Sequence, residues 1–282
     1  MSLEREEAEA AEPERSDMPV KTQNASVIRK PRRWREHFRR AVNISEDNAS
    51  PELVRERIFS AGKVTGTNLV VLMMAIMVAS IGLIKNSTAA IIGAMLISPL
   101  MGSLYLIAYG VVTLDRDVLR RALSGFSMQI LISVGTSTLF FLLSPLKNVT
   151  TELMARTSPD FFDVLLAIFG GLAGIVGFTR KDSYNSVIPG VAIATALMPP
   201  LCTCGYSIAT GHWRMLLGAL YLFIINCYFI FSSAEVVLSF MKLPRVGEVS
   251  RREAKKYRRR KMRTTIIVAA PSILFGLAIW KW

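Results

Sequence analysis

Apolar runs of about 20 residues, separated by short polar breaks, organise this chain from residue 64 onward. A hydrocarbon layer roughly 30 Å thick is crossed by about 20 helical residues. A reading window of that size predicts seven spanning helices, at residues 64–84, 88–114, 122–143, 161–178, 187–211, 215–241 and 264–281. The polar breaks run from Lys85 to Ser87, Asp115 to Arg121, Ser144 to Asp160, Thr179 to Ser186 and Gly211 to Arg214, and a long basic one from Lys242 to Arg263. The expected fold class is an all-α membrane protein.

Composition alone is ambiguous, because 51% of the residues are hydrophobic while Lys and Arg number 34 against 21 acids, for a formal charge of +13. Position resolves it. Residues 1–63 carry 25 charged side chains and residues 241–263 carry 13, so the other 196 residues carry only 17. No soluble domain is built from that remainder, and a secreted disulfide scaffold, a collagen-like fibre and a wholly disordered chain are excluded as well. Cys202, Cys204 and Cys227 all lie in apolar runs, where they read as packing thiols and not as a disulfide framework. No His or carboxylate stands near the Cys202/Cys204 pair in sequence, so neither a metal nor a cofactor is expected. The first 17 residues hold seven acids and two arginines, which is not the pattern of a cleavable signal peptide.

Orientation follows from the basic residues, which cytoplasmic loops retain during insertion. With the N-terminus inside, the inner segments hold 29 Lys and Arg, and the outer ones hold five: Lys85, Lys147, Arg156, Arg214 and Lys281. The expected location is the plasma (inner) membrane, with the N-terminus cytoplasmic and the C-terminus external. Trp280 and Trp282 then anchor the outer interface. His37 and His212 read as interfacial side chains.

Residues 1–63 form a cytoplasmic region in this reading. Residues 1–26 have too little apolar surface to fold. Residues 29–42 place Trp34, Phe38 and Val42 on one helical face among arginines, which suits a helix lying on anionic lipid. Ser50-Pro51-Glu52 offers an N-cap followed by proline at the first helical position. The expected partners are membrane lipids, with anionic headgroups at the basic segments 29–40 and 251–263. Nucleic acid is not expected; homo-oligomerisation is compatible with the sequence, but nothing specifies it.

A self-match at an offset of 97 residues is the most informative pattern. Gly93/Gly190, Leu100/Leu197, Met101/Met198, Tyr109/Tyr206, Thr113/Thr210, Leu119/Leu216, Ala122/Ala219 and Leu123/Leu220 are identical, and Ser98/Thr195 and Gln129/Asn226 are conservative. The two units, 64–143 and 161–241, each hold three predicted spans. An odd number makes the second unit enter the membrane from the opposite side, which predicts a 3+3 inverted-topology repeat, followed by the basic loop 242–263 and a C-terminal helix within 264–282.

Such repeats place their sites at paired Gly/Pro-interrupted helices. Gly93, Ser98 and Pro99 interrupt the second span; Gly190, Thr195, Pro199 and Pro200 interrupt the fifth. Proline removes a backbone donor and frees a carbonyl one turn back, which apolar surroundings oblige protein, water or a ligand to satisfy. Two kinked packing helices are the competing interpretation. Gln129 and Asn226, at equivalent positions, are either substrate contacts or hydrogen-bonding glue between helices. Glu235, the only acid well inside a span, is a candidate coupling group or an interfacial side chain. Gly170, Gly171, Gly174 and Gly177 read as a close-packing stripe.

The runs Ile91-Ile92-Gly93-Ala94-Met95-Leu96-Ile97-Ser98-Pro99-Leu100-Met101 and Gly190 to Leu201 resemble the two signature stretches of the prokaryotic uncharacterised hydrophobic domain proteins, catalogued as domain of unknown function 389. The resemblance covers residues 66–240 and implies a polytopic inner-membrane protein without naming a substrate. Many members carry a small α/β domain before the spans; residues 1–63 show no strand pattern.

A transporter or channel for a small solute or ion is the leading expectation. The alternative is a non-transporting module that organises lipids or partner proteins through its basic segments. Catalysis is not expected, because the chain has no H-E-x-x-H, nucleophile elbow or Gly-rich phosphate loop.

Overall fold

Short polar side chains at the ends of apolar runs set most of the helix boundaries in the computed structural model. It describes residues 48–146, 148–181, 197–241, 243–244, 246, 259 and 262–267, all within one unit, Asp47–Trp282. Nine helices are formed among these residues: α1 Pro51–Gly62, α2 Gly66–Ile84, α3 Thr88–Ile97, α4 Leu100–Thr113, α5 Arg116–Leu143, α6 Thr151–Met154, α7 Phe161–Thr179, α8 Met198–Thr210 and α9 Trp213–Phe240. No strand is present among the described residues, and Asn48 and Arg180 form one isolated bridge.

Caps explain the starts. Ser50, Thr65 and Ser87 accept from the backbone N–H three residues on, which holds α1, α2 and α3. Pro51 stands in the first turn of α1, where its missing N–H costs nothing. Asp160 and Asp163 close a reciprocal capping box on α7, at 2.9 and 3.0 Å,.

Four helices are long and apolar enough to cross a membrane: α2, α5, α7 and α9. The pair α3 and α4 would make a fifth if it counts as one span bent by 46°. These elements fall on five of the seven predicted spans. Of the predicted 187–211, residues 197–211 are described, with the helix at 198–210; of 264–281, only 264–267 is described, within the helical stretch 262–267. Residues 1–47, with the 29–42 segment and its basic residues, and most of 251–263 lie outside the described residues.

One predicted boundary is corrected. Asp115 to Arg121 is not a polar break, because α5 begins at Arg116. Asp115 Oδ1 accepts from Asp117 and Val118 N–H, at 3.1 and 3.0 Å, so two polar turns precede the apolar part. The break from Ser144 to Asp160 also contains the short α6, tied to the end of α2 by Thr150 Oγ1 donating to the Leu83 carbonyl at 2.7 Å.

α4 is buried from Leu100 to Gly110 and packs against α1, α5 and α9. α8 packs against α5, α9 and α2. α7 lies along α9, where an added Cβ on Gly171 would sit 2.8 Å from Ile230 Cα, so Gly171 of the glycine stripe serves close packing.

Helix ends recur at the 97-residue offset. α4 ends at Thr113 and α8 at Thr210. The next residues, Leu114 and Gly211, are both left-handed, with φ of 59° and 76°. Asp115 N–H donates to Gly110 and His212 N–H to Ser207, each at 3.0 Å. α5 and α9 then run for 28 residues each.

Candidate functional site

The first interruption is a true break. α3 stops at Ile97, Ser98 is extended with ψ 128°, and Pro99 opens α4 with φ −83° and ψ 2°. Proline cannot donate to the carbonyl one turn back, and the residue before it avoids helical geometry. Ser98 compensates in part: its N–H donates to Met95 at 3.2 Å, and its Oγ accepts from Leu100 N–H at 3.4 Å. Gly93 lies one turn earlier within α3, with nothing within 4 Å of an added Cβ, so packing does not require glycine there.

The second interruption is placed differently within its helix. Pro199 and Pro200 occupy the first turn of α8, where N–H groups lack intrahelical partners in any case. Leu197 stands at the cap and offers no side-chain hydrogen bond. Gly190 and Thr195 lie outside the described residues. Thr203 donates to the Pro199 carbonyl at 3.0 Å and Ser207 to Thr203 at 2.7 Å, which keeps both hydroxyls within α8.

Between these starts runs a polar row on α5. Gln129, Ser133 and Ser137 are all buried and spaced by four, hence on one face. Ser103 Oγ donates to Gln129 Oε1 at 2.8 Å. Ser137 Oγ donates to the Cys202 carbonyl of α8 at 2.9 Å and lies 3.3 Å from Ser80 Oγ of α2. Ser133 Oγ has no hydrogen-bond partner among the described residues.

The predicted site residues therefore separate into groups. Ser98 and Pro99 form the break, and Pro199 and Pro200 open α8. Gln129 is held by Ser103, a partner the sequence did not reveal. Asn226 is buried on α9. Glu235 is half-buried on the same helix, nine residues on; at ~1.5 Å per residue it stands about 14 Å along the axis from Asn226. Sequence reasoning placed Ser103 with Gly102 near the interruption of the second span but did not pair it with Gln129, and it missed Ser80, Ser133 and Ser137. For Ser133 and Ser137 the signal is the four-residue spacing from Gln129 on α5, which helical serines and threonines often show while bonding their own backbone, as Thr138 does to Val134 at 2.8 Å,.

Residues 95–232 match the family described as Domain of unknown function (DUF389). The chain is also similar to Uncharacterized protein MJ0678 of Methanocaldococcus jannaschii, 26% identical over 221 residues, which is 77% of this chain and 68% of that relative. No solved structure matches it. The break before α4, the polar row of α5 and the Pro-Pro start of α8 thus all lie within the stretch that matches DUF389, a family whose function is unknown.

Proposed function

We propose that this chain is a multi-pass protein of the plasma (inner) membrane that transports or conducts a small solute or ion, without catalysis, through a site between its two interrupted helices. The observation that carries the reading is the break at Ser98–Pro99, where a helix pair apolar enough to cross a membrane bends by 46°. Irregular backbone at membrane depth is tolerated only where protein buries it or a cavity is lined, and in many transporters such breaks form the binding site.

In this reading the seven spans form a 3+3 inverted-topology repeat followed by a C-terminal helix, with the N-terminus cytoplasmic and the C-terminus external. The recurrence of helix ends at the 97-residue offset supports the repeat. A pair of cross-helix contacts supports it further: Tyr105 OH donates to the Gly171 carbonyl at 3.5 Å, and Cys202 Sγ to the Ile76 carbonyl at 3.9 Å. Cys202 is the counterpart of Tyr105 at offset 97. Gly171 and Ile76 occupy the same position in the 19-residue helices α7 and α2. The basic segments 29–40 and 251–263 bind anionic lipid headgroups in this arrangement.

The test is solute flux in vesicles holding the purified full-length chain, compared with Pro99→Ala combined with Pro199→Ala. A several-fold loss of flux in the double variant is expected. Full flux in that variant, with the chain still folded, would remove the broken-helix site.

A further inference from the structure

The contacts at the two ends of the α5 row fix where its middle looks. Gln129 meets Ser103 of α4 and Ser137 meets Cys202 of α8, so Ser133, midway on the same face, looks between those helices. Its exposure is 0% and its hydroxyl has no partner among the described residues. A helical serine ordinarily bonds the carbonyl one turn back; this one does not.

Register brings both helix starts to that hydroxyl. α8 runs alongside α5 in the same direction, with Cys202 beside Ser137 and the Tyr206 ring 5.0 Å from that of Phe141. An added Cβ on Gly205 would fall 2.5 Å from Ser137 Cβ, so one turn back Leu201, in the first turn of α8, reaches the level of Ser133. α4 runs the opposite way, with Gly110 against Leu119 and Ser103 against Gln129, so Leu100 falls within about a turn of Ser133 as well. The start of α8 carries no side-chain cap, and at the start of α4 only the Leu100 N–H is taken, by Ser98 Oγ at 3.4 Å.

We infer that the Gln129–Ser133 turn of α5, between the first turns of α4 and α8, binds a small monovalent anion; this rests on the transport reading above. Each helix start carries about half a positive charge, so the pair balances one negative charge and not two. Residues 100–113, 122–143, 198–210 and 215–240 contain no Lys or Arg to balance a second. Ser133 supplies a free O–H donor. Ser103 already occupies the Gln129 acceptor, which leaves that amide its N–H groups. Pro199 and Pro200 give α8 a field but few donors, so α4 and α5 supply the hydrogen bonds.

The experiment uses the full-length chain in phospholipid vesicles, with chloride and nitrate as probes, and with potassium and glycerol measured in parallel. Chloride or nitrate flux above that of empty vesicles is expected, lowered about tenfold or more in Ser133→Ala, as for loss of one hydrogen bond to a charge. The variant should melt no lower than the unaltered chain, because it removes a hydroxyl without a partner. Equal anion flux in the two chains overturns the site. Potassium or glycerol flux without anion flux overturns the anion and leaves transport standing; no flux of any probe overturns both.

Discussion

Phe126 stacks on Phe223, with ring centroids 6.2 Å apart and planes 18° from parallel, and the two stand 97 positions apart in sequence. A residue that touches its own counterpart lies on the axis relating two halves. In the proposed repeat, this contact between α5 and α9 marks that axis. Each of Phe126→Ala and Phe223→Ala should lower stability by about 3 kcal/mol, and a double-mutant cycle should give a coupling of about 0.5–1.5 kcal/mol. Unfolding titrations in detergent micelles measure both, and strictly additive losses would deny the contact.

Glycines on the two interrupted halves should respond oppositely. Gly205→Ala places its Cβ 2.5 Å from Ser137 Cβ and 2.8 Å from the Thr138 backbone nitrogen, so α8 must shift from α5 at a cost of about 1–3 kcal/mol. Gly93→Ala meets nothing within 4 Å and should gain up to about 1 kcal/mol of helix propensity. Melting temperatures of the two variants should move in opposite directions.

How much of this was legible in the sequence depends on the length scale of the signal. The long apolar helices were visible because 20 apolar residues in a row have few other uses, and the break was visible because Pro99 follows Ser98 within such a run. The start of α5 was not, because Arg116 to Arg121 is polar whether it is a loop or the first turns of a helix; only Asp115 as cap separates the two. The equivalence of Gln129 and Asn226 could be read, but the Ser103 partner of Gln129 could not, since that contact depends on how α4 is rotated against α5. Ser133 was hidden for the same reason, and a hydroxyl without a partner is a property of packing, not of sequence.

The segment before the first long helix is clamped to the end of α7. Arg57 donates to the carbonyls of Arg180 and Lys181, the latter at 3.0 Å, and Ala49 N–H donates to the Thr179 carbonyl at 2.8 Å. A guanidinium reaches two acceptors at once, whereas an ammonium on a lysine stem lacks that fork. Arg57→Ala should speed amide hydrogen exchange in residues 48–62 about tenfold, and Arg57→Lys should restore only part of the protection. Unchanged exchange in Arg57→Ala would show that the clamp holds nothing.

Capping of α5 by Asp115 should be worth about 1 kcal/mol. Asp115→Ala should lower the melting temperature by that equivalent, and Asp115→Ser should recover most of it. An effect confined to flux, with no change in melting, would contradict a purely local role.

The inverted arrangement of the two units is tested most directly by labelling one equivalent pair of positions from outside intact cells. Asp117 and Arg214 are both exposed, one at the start of α5 and one at the start of α9, 97 residues apart. In Asp117→Cys and Arg214→Cys variants, a membrane-impermeant maleimide should label residue 214 in intact cells and residue 117 only after permeabilisation. Labelling of both from the same side would contradict the account.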